Sequence, residues 1–90
     1  MVKLKIGNLE YEIVRFSHRF YFNNDDDADQ IYVELKTFSD SLIQEISEAF
    51  EGAGQIISDN VTYNFENYRL DSIDYSLDDK SERTSIYFRK

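Results

Sequence analysis

Asn23, Asp25 and Asp27, followed by Glu34, place oxygen-bearing side chains at the first three ligand positions and the twelfth, bidentate position of a calcium-loop spacing. Hard carboxylate oxygens at such intervals suit a divalent cation. Two departures count against that chemistry: Ala28 stands where the sharp turn calls for Gly, and the flanking residues alternate like strands instead of helices. The loop therefore reads first as a solvated acidic turn, with a low-affinity Ca²⁺-binding domain as a lesser alternative. His18 is the only histidine, and no Cys is present to complete a metal set. It falls on the apolar parity of its run, so a structural imidazole with one hydrogen-bonded nitrogen is expected. There is no serine elbow and no dinucleotide fingerprint, and Gly52-Ala53-Gly54 lacks the length and the Lys of a phosphate cradle. No catalytic residue, no cofactor and no enzymatic activity are expected.

Ninety residues suffice for one domain, taken as residues 1–90, and the chain carries 18 acidic against 10 basic residues for a net charge of −8. Without Cys, disulfides, thiolate metal sites and cysteine nucleophiles are excluded. Seven Tyr and seven Phe are far more than a disordered acidic segment would hold, so a folded core is expected. No apolar run is long enough to span a membrane, and the opening residues carry charge where a signal peptide would be apolar. A cytoplasmic location in a bacterial host cell and no membrane partner are the expectations. The charge is uneven: residues 25–82 hold sixteen acids against Lys36, Arg69 and Lys80, a net of −13, whereas both ends are mildly basic.

The elements that must position these groups follow from hydrophobic periodicity. Residues 2–6 read as a short strand ending in Gly7-Asn8. Leu9, Tyr11 and Ile13 share one parity, but Phe16, His18, Phe20 and Phe22 lie on the other, which predicts a bulge or bend near Ile13-Val14. Ile31, Val33 and Leu35 mark a third strand. Leu42, Ile43, Ile46, Ala49 and Phe50 then fall on one side of a 3.6-residue helix, with Asp40, Gln44, Glu48 and Glu51 opposite. Ser39 or Ser41 would cap its start, and Gly52 or Gly54 would end it. Three further alternating runs follow, at residues 61–65, 68–77 and 83–89, with a turn at Glu66-Asn67 and a parity slip near Asp71. The expected fold is α+β, a single helix packed on a mainly antiparallel, twisted and bulged sheet in the order βββ-α-βββ. If the basic first and last strands were neighbours, they would gather the positive charge in one place.

In size, charge and lack of Cys, the chain resembles the small acidic inhibitors that phages and mobile elements direct against restriction or RNA-guided nucleases. That resemblance implies a DNA mimic, a non-enzymatic protein-binding domain whose acidic face occupies a basic nucleic-acid-binding groove of a bacterial defence nuclease. The candidate partner-binding residues are Asp25, Asp26, Asp27 and Asp29 of the loop, Asp40, Glu45, Glu48 and Glu51 of the helix, and Asp71, Asp74, Asp78 and Asp79. The partner would be a protein with a basic surface. Direct nucleic-acid binding is not expected, because phosphates would meet the acidic centre. The rival is a structural subunit of a phage tail, neck or other assembly, joined through strand edges and compatible with a homo-oligomer.

Overall fold

The computed structural model describes residues 1–21, 28–37, 39–77 and 82–90. In chain order these form β1 (Lys3–Ile6), β2 (Leu9–Tyr21), β3 (Ala28–Leu35), the helix α1 (Asp40–Ala49), β4 (Gly54–Ile57), β5 (Thr62–Phe65), β6 (Arg69–Leu77) and β7 (Glu82–Arg89). The fold is thus one helix with an antiparallel sheet of seven described strands, ordered β5-β4-β1-β2-β3-β7-β6. The expected order is corrected to βββ-α-ββββ by β4. That strand is only four residues long, too short for its alternation to stand out beside the glycines that precede it. The basic terminal strands β1 and β7 are not neighbours, because β2 and β3 lie between them.

β2 makes the architecture. Its first residues pair with β1 and its later ones with β3, and the register shifts between Ile13 and Arg15. This extra residue lies where the apolar parity changes, and it keeps Leu9, Tyr11 and Ile13 on the same side as Phe16 and His18. A second shift between Leu70 and Ser72 does the same for β6. The bent sheet curls, so that Tyr63 on the edge strand β5 meets Phe16 of β2 with ring centroids 5.7 Å apart. The interior holds Leu4, Ile6, Ile13, Ile31, Val33, Leu35, Ile56, Phe65, Ile86 and Phe88. Leu42 and Ile46 of α1 complete this core, so the helix lies on the inner side of the sheet.

The helix termini differ in part from expectation. Ser39 is the N-cap residue but makes no capping hydrogen bond with its side chain, and its hydroxyl lies 3.2 Å from that of Ser41. Phe50, in extended conformation, ends the helix, stacks on Phe65 and meets Phe88 at a tilt. Gly52 follows at φ 94°, whereas Gly54 is the first residue of β4. A Cβ at Gly54 would lie 2.6 Å from Phe65 Cζ and 3.3 Å from the Lys5 carbonyl oxygen. Gly54→Ala is expected to cost about 1–3 kcal/mol by overpacking. Equilibrium urea unfolding measures it, and an unchanged midpoint would mean that the Phe65 ring yields freely.

Candidate functional site

His18 projects from β2 onto the inner face, opposite Ile31. Asp29 shares that face because β3 already begins at Ala28, which puts Asp29 on the parity of Ile31, Val33 and Leu35. The two side chains meet at 2.5 Å, His18 Nε2 to Asp29 Oδ1, each only 18% exposed. The curl of the sheet brings in two phenols. Tyr63 Oη lies 2.7 Å from His18 Nδ1, and the Tyr68 hydroxyl donates to Asp29 Oδ1 at 2.7 Å. One assignment satisfies every proton: Nε2–H donates to Asp29, and Nδ1 accepts from Tyr63. Both imidazole nitrogens are engaged, which corrects the expectation of one. Lys90 Nζ stands 5.2 Å from the centroid of the Tyr68 ring, and the Lys90 amide donates to the Asp29 carbonyl at 3.0 Å.

An imidazole oriented by a carboxylate and facing a hydroxyl has the layout of a proton relay. A nucleophile or general acid in such a relay needs a loosened proton. Burial foremost, and then the charge of Asp29, raises the Tyr63 phenol; burial, the hydrogen bond to Asp29 and its charge push Tyr68 up strongly. These phenol protons are held more tightly, and the hydrogen bonds join β2, β3, β5 and the β5–β6 connection. Burial and the Glu45 carboxylate also raise Tyr11, to about 12.

Below about pH 10 these phenols are protonated in both folded and unfolded chains. Above it the unfolded chain loses its protons first, so stability falls as pH rises through the raised folded-state values. The melting temperature should drop between about pH 10 and about pH 12, and Tyr68→Phe should flatten that slope. A melting curve flat across this range would overturn the attribution.

The described acidic candidates do not share one face. Asp40, Glu45, Glu48 and Glu51 are exposed on or just past α1. Glu45 accepts from the Tyr11 hydroxyl at 3.0 Å, and Glu48 accepts from Gln44. Asp74 points from β6 to the outer side of the sheet, away from the helix, and Asp71 sits in the β6 bulge. Asp29 is turned inward to His18, so its expected role on a partner-facing surface is corrected. Asp25, Asp26, Asp27, Asp78 and Asp79 lie outside the described residues, as does Asn23, so the first three calcium-spaced positions all do. Glu34, the twelfth position of that spacing, faces the outer side of β3, 3.6 Å from Arg83 Nε, and accepts from the Tyr32 hydroxyl. Among the described residues no cluster of three metal-ligating side chains occurs.

Asp40 stands in the first helical turn, where the backbone dipole favours a carboxylate, but the acids at the other end stand where it opposes them. Residues 40–51 contain no basic residue, and the last helical turn has none to offset its carbonyl ends. Glu48 and Glu51 therefore sit at the negative end of the helix dipole, which costs about 0.3–1 kcal/mol for a group in the last turn.

The outer side of the sheet shows the opposite imbalance. Register aligns Arg19, Gln30, Arg89 and Arg69 in one row across β2, β3, β7 and β6. The next row is Ser17, Tyr32, Tyr87 and Ser72, and the third is Arg15, Glu34, Ser85 and Asp74. Tyr32 and Tyr87 touch, with centroids 5.0 Å apart, and a groove of about 270 Å³ lies between them and Arg15, Ser17, Arg19 and Gln30. Burial, followed by the nearby Tyr32, Asp74 and Glu34, raises the Tyr87 phenol. Arg69 and Arg89 are direct cross-strand partners, a like-charge pairing that destabilises a sheet. Among the described residues no ion pair involves Arg15, Arg19, Arg69 or Arg89.

The chain matches no protein-family model and no curated protein.

The alternation of β2 sets Arg15, Ser17 and Arg19 opposite Phe16 and His18, but the three rows they enter depend on pairing with β3. The alternation of Arg83, Ser85, Tyr87 and Arg89 was the available signal on β7. The bulge at Asp71, which turns Arg69 to the same side, has no local signature beyond the parity slip. The His18 cluster was missed because Asp29 looks like the last residue of an acidic loop.

Proposed function

We propose that the chain is a small non-enzymatic protein-binding domain that engages a basic surface through the outer side of its helix. The observation that carries this reading is the stripe Asp40, Glu48 and Glu51, exposed and without a basic neighbour on the segment, in which Glu48 and Glu51 are maintained at a helix end whose dipole disfavours them. A surface kept at an electrostatic cost to the isolated chain is explained by a partner that relieves it. A nucleic-acid-binding groove of a bacterial defence nuclease fits this chemistry. In that role the carboxylates stand in for phosphates, and the chain is an inhibitor carried by a phage or mobile element. No helix among the described residues is long and apolar enough to cross a membrane.

The test separates function from stability. Glu48→Lys complements the helix dipole, so it should leave the melting temperature unchanged or raise it slightly while abolishing capture of a basic partner from bacterial lysate at low salt. Capture that survives this change and is indifferent to salt would sink the reading.

A second reading, a subunit of a phage tail, neck or other assembly, is favoured by the sheet margins. β5 and β6 are the outermost strands of the sheet order, and Val61 beside β5 and Leu77 on β6 are 62% and 60% exposed. Strands with apolar side chains at an open margin pair readily with another chain.

A further inference from the structure

We infer that the arginine row on the outer side of the sheet is a docking face for the acidic helix of a second copy of this chain, giving a head-to-tail contact. The inference rests on the reading of the helix as a protein-binding surface and names the surface it binds. Four arginines without ion pairs among the described residues are unusual in a chain with 18 acids, and they converge on one side. Arg69 and Arg89 oppose each other directly, so the isolated sheet bears a repulsion that an anionic partner would relieve. The helix bears the complementary imbalance in Glu48 and Glu51, and it lies on the other side of the sheet. One intermolecular contact answers both.

The spacings agree. At about 4.8 Å per strand, the row from Arg19 through Arg89 to Arg69 spans about 14 Å. At about 1.5 Å per residue, Asp40 and Glu48 are separated by about 12 Å along the helix axis. A helix laid across the strands would bring its two exposed carboxylates to the two ends of the row, with the groove beside Tyr32 and Tyr87 along its flank. Because the two surfaces lie on opposite sides of each copy, the contact is heterologous and can repeat into rings or filaments. A polynucleotide is the other anion such a face could take. The copy is favoured because Glu34 and Asp74 stand two rows away on the same side of the sheet and the chain as a whole carries −8, which repels a continuous polyanion.

Sedimentation velocity of the full chain over a concentration series, at about 50 mM and about 500 mM salt, measures the contact. Self-association should appear at low salt and weaken roughly tenfold or more at high salt. The sheet variant Arg19→Glu/Arg89→Glu and the helix variant Asp40→Lys/Glu48→Lys should each be monomeric alone. Mixed, the two should associate, because each reversed face finds a reversed complement. Circular dichroism melts of both variants check that they fold, and the mixing arm needs two folded chains to succeed. A wild type that stays monomeric at low salt overturns the inference. So does association that neither variant alters, or a labelled oligothymidine that binds wild type and not the sheet variant while no self-association occurs. If a foreign basic partner is captured through the helix in any of these cases, the reading of the helix stands and only the self-contact falls. If reversing the helix alters neither capture nor association, both fall.

Discussion

Phe88→Ala should lower the stability of this protein by about 3–5 kcal/mol, the range for removing a fully buried phenylalanine and leaving a cavity. Phe88 is flanked in register by Ile31 of β3 and Leu70 of β6. Its ring also lies 4.8 Å from Phe50 at the end of the helix and 5.2 Å from Phe65 on β5. The residue therefore joins both halves of the bent sheet to the helix, and no single neighbour can close the space it would leave. At about 0.05–0.15 kcal/mol per residue, a chain this size has roughly 5–13 kcal/mol of stability, so the loss is a large fraction. Urea unfolding followed by far-ultraviolet circular dichroism measures it. A loss below about 1 kcal/mol would show that the two half-sheets do not close on this ring. The same truncation at the half-buried Phe50 should cost less, since less apolar surface leaves water.

The second large effect is expected at Asp29. Its Oδ1 accepts from both His18 Nε2–H and the Tyr68 hydroxyl. Asp29→Ala would orphan both donors in a part-buried site. Each such donor costs about 1–3 kcal/mol, and residual solvent access trims the sum, so a loss of about 2–4 kcal/mol is expected. Asp29→Asn, which keeps an acceptor oxygen, should recover part of it. In the wild type, the His18 ring protons should show protected, shifted resonances that vanish in Asp29→Ala. An Asp29→Ala chain as stable as wild type would mean that this carboxylate belongs to the solvent, as the acidic loop preceding it suggested.

His18 and Asp29 also show how far the sequence was legible. The parity of each run was readable: Ile31, Val33 and Leu35 pointed inward, and the switch between Ile13 and Phe16 announced a bulge that the register between β2 and β3 contains. Asp29 belonged to that inward parity too, yet its neighbours at 25–27 are acids typical of a turn, and local composition outweighed periodicity. The helix was legible because ten residues of 3.6 periodicity cannot be arranged otherwise with Leu42 and Ile46 inside. β4 was not, because Gly54–Ile57 shows too few alternations to declare a strand.

What the amino-acid sequence determined by itself was local: the alternation of each strand, the amphipathic helix with its acidic outer stripe, and a chain charge of −8 concentrated in its centre. These follow from backbone periodicity, in which a side chain's direction depends only on near neighbours. Which charges face one another was decided by the tertiary structure alone. Arg19, Arg69 and Arg89 come from three strands separated by as many as 70 residues, and only the register of hydrogen-bonded ladders sets them in one row. The same holds for Tyr63 and His18, which meet because a one-residue bulge curls the sheet. The acids read as a single central block are likewise divided by the fold, between the helix, the outer side of the sheet and the interior.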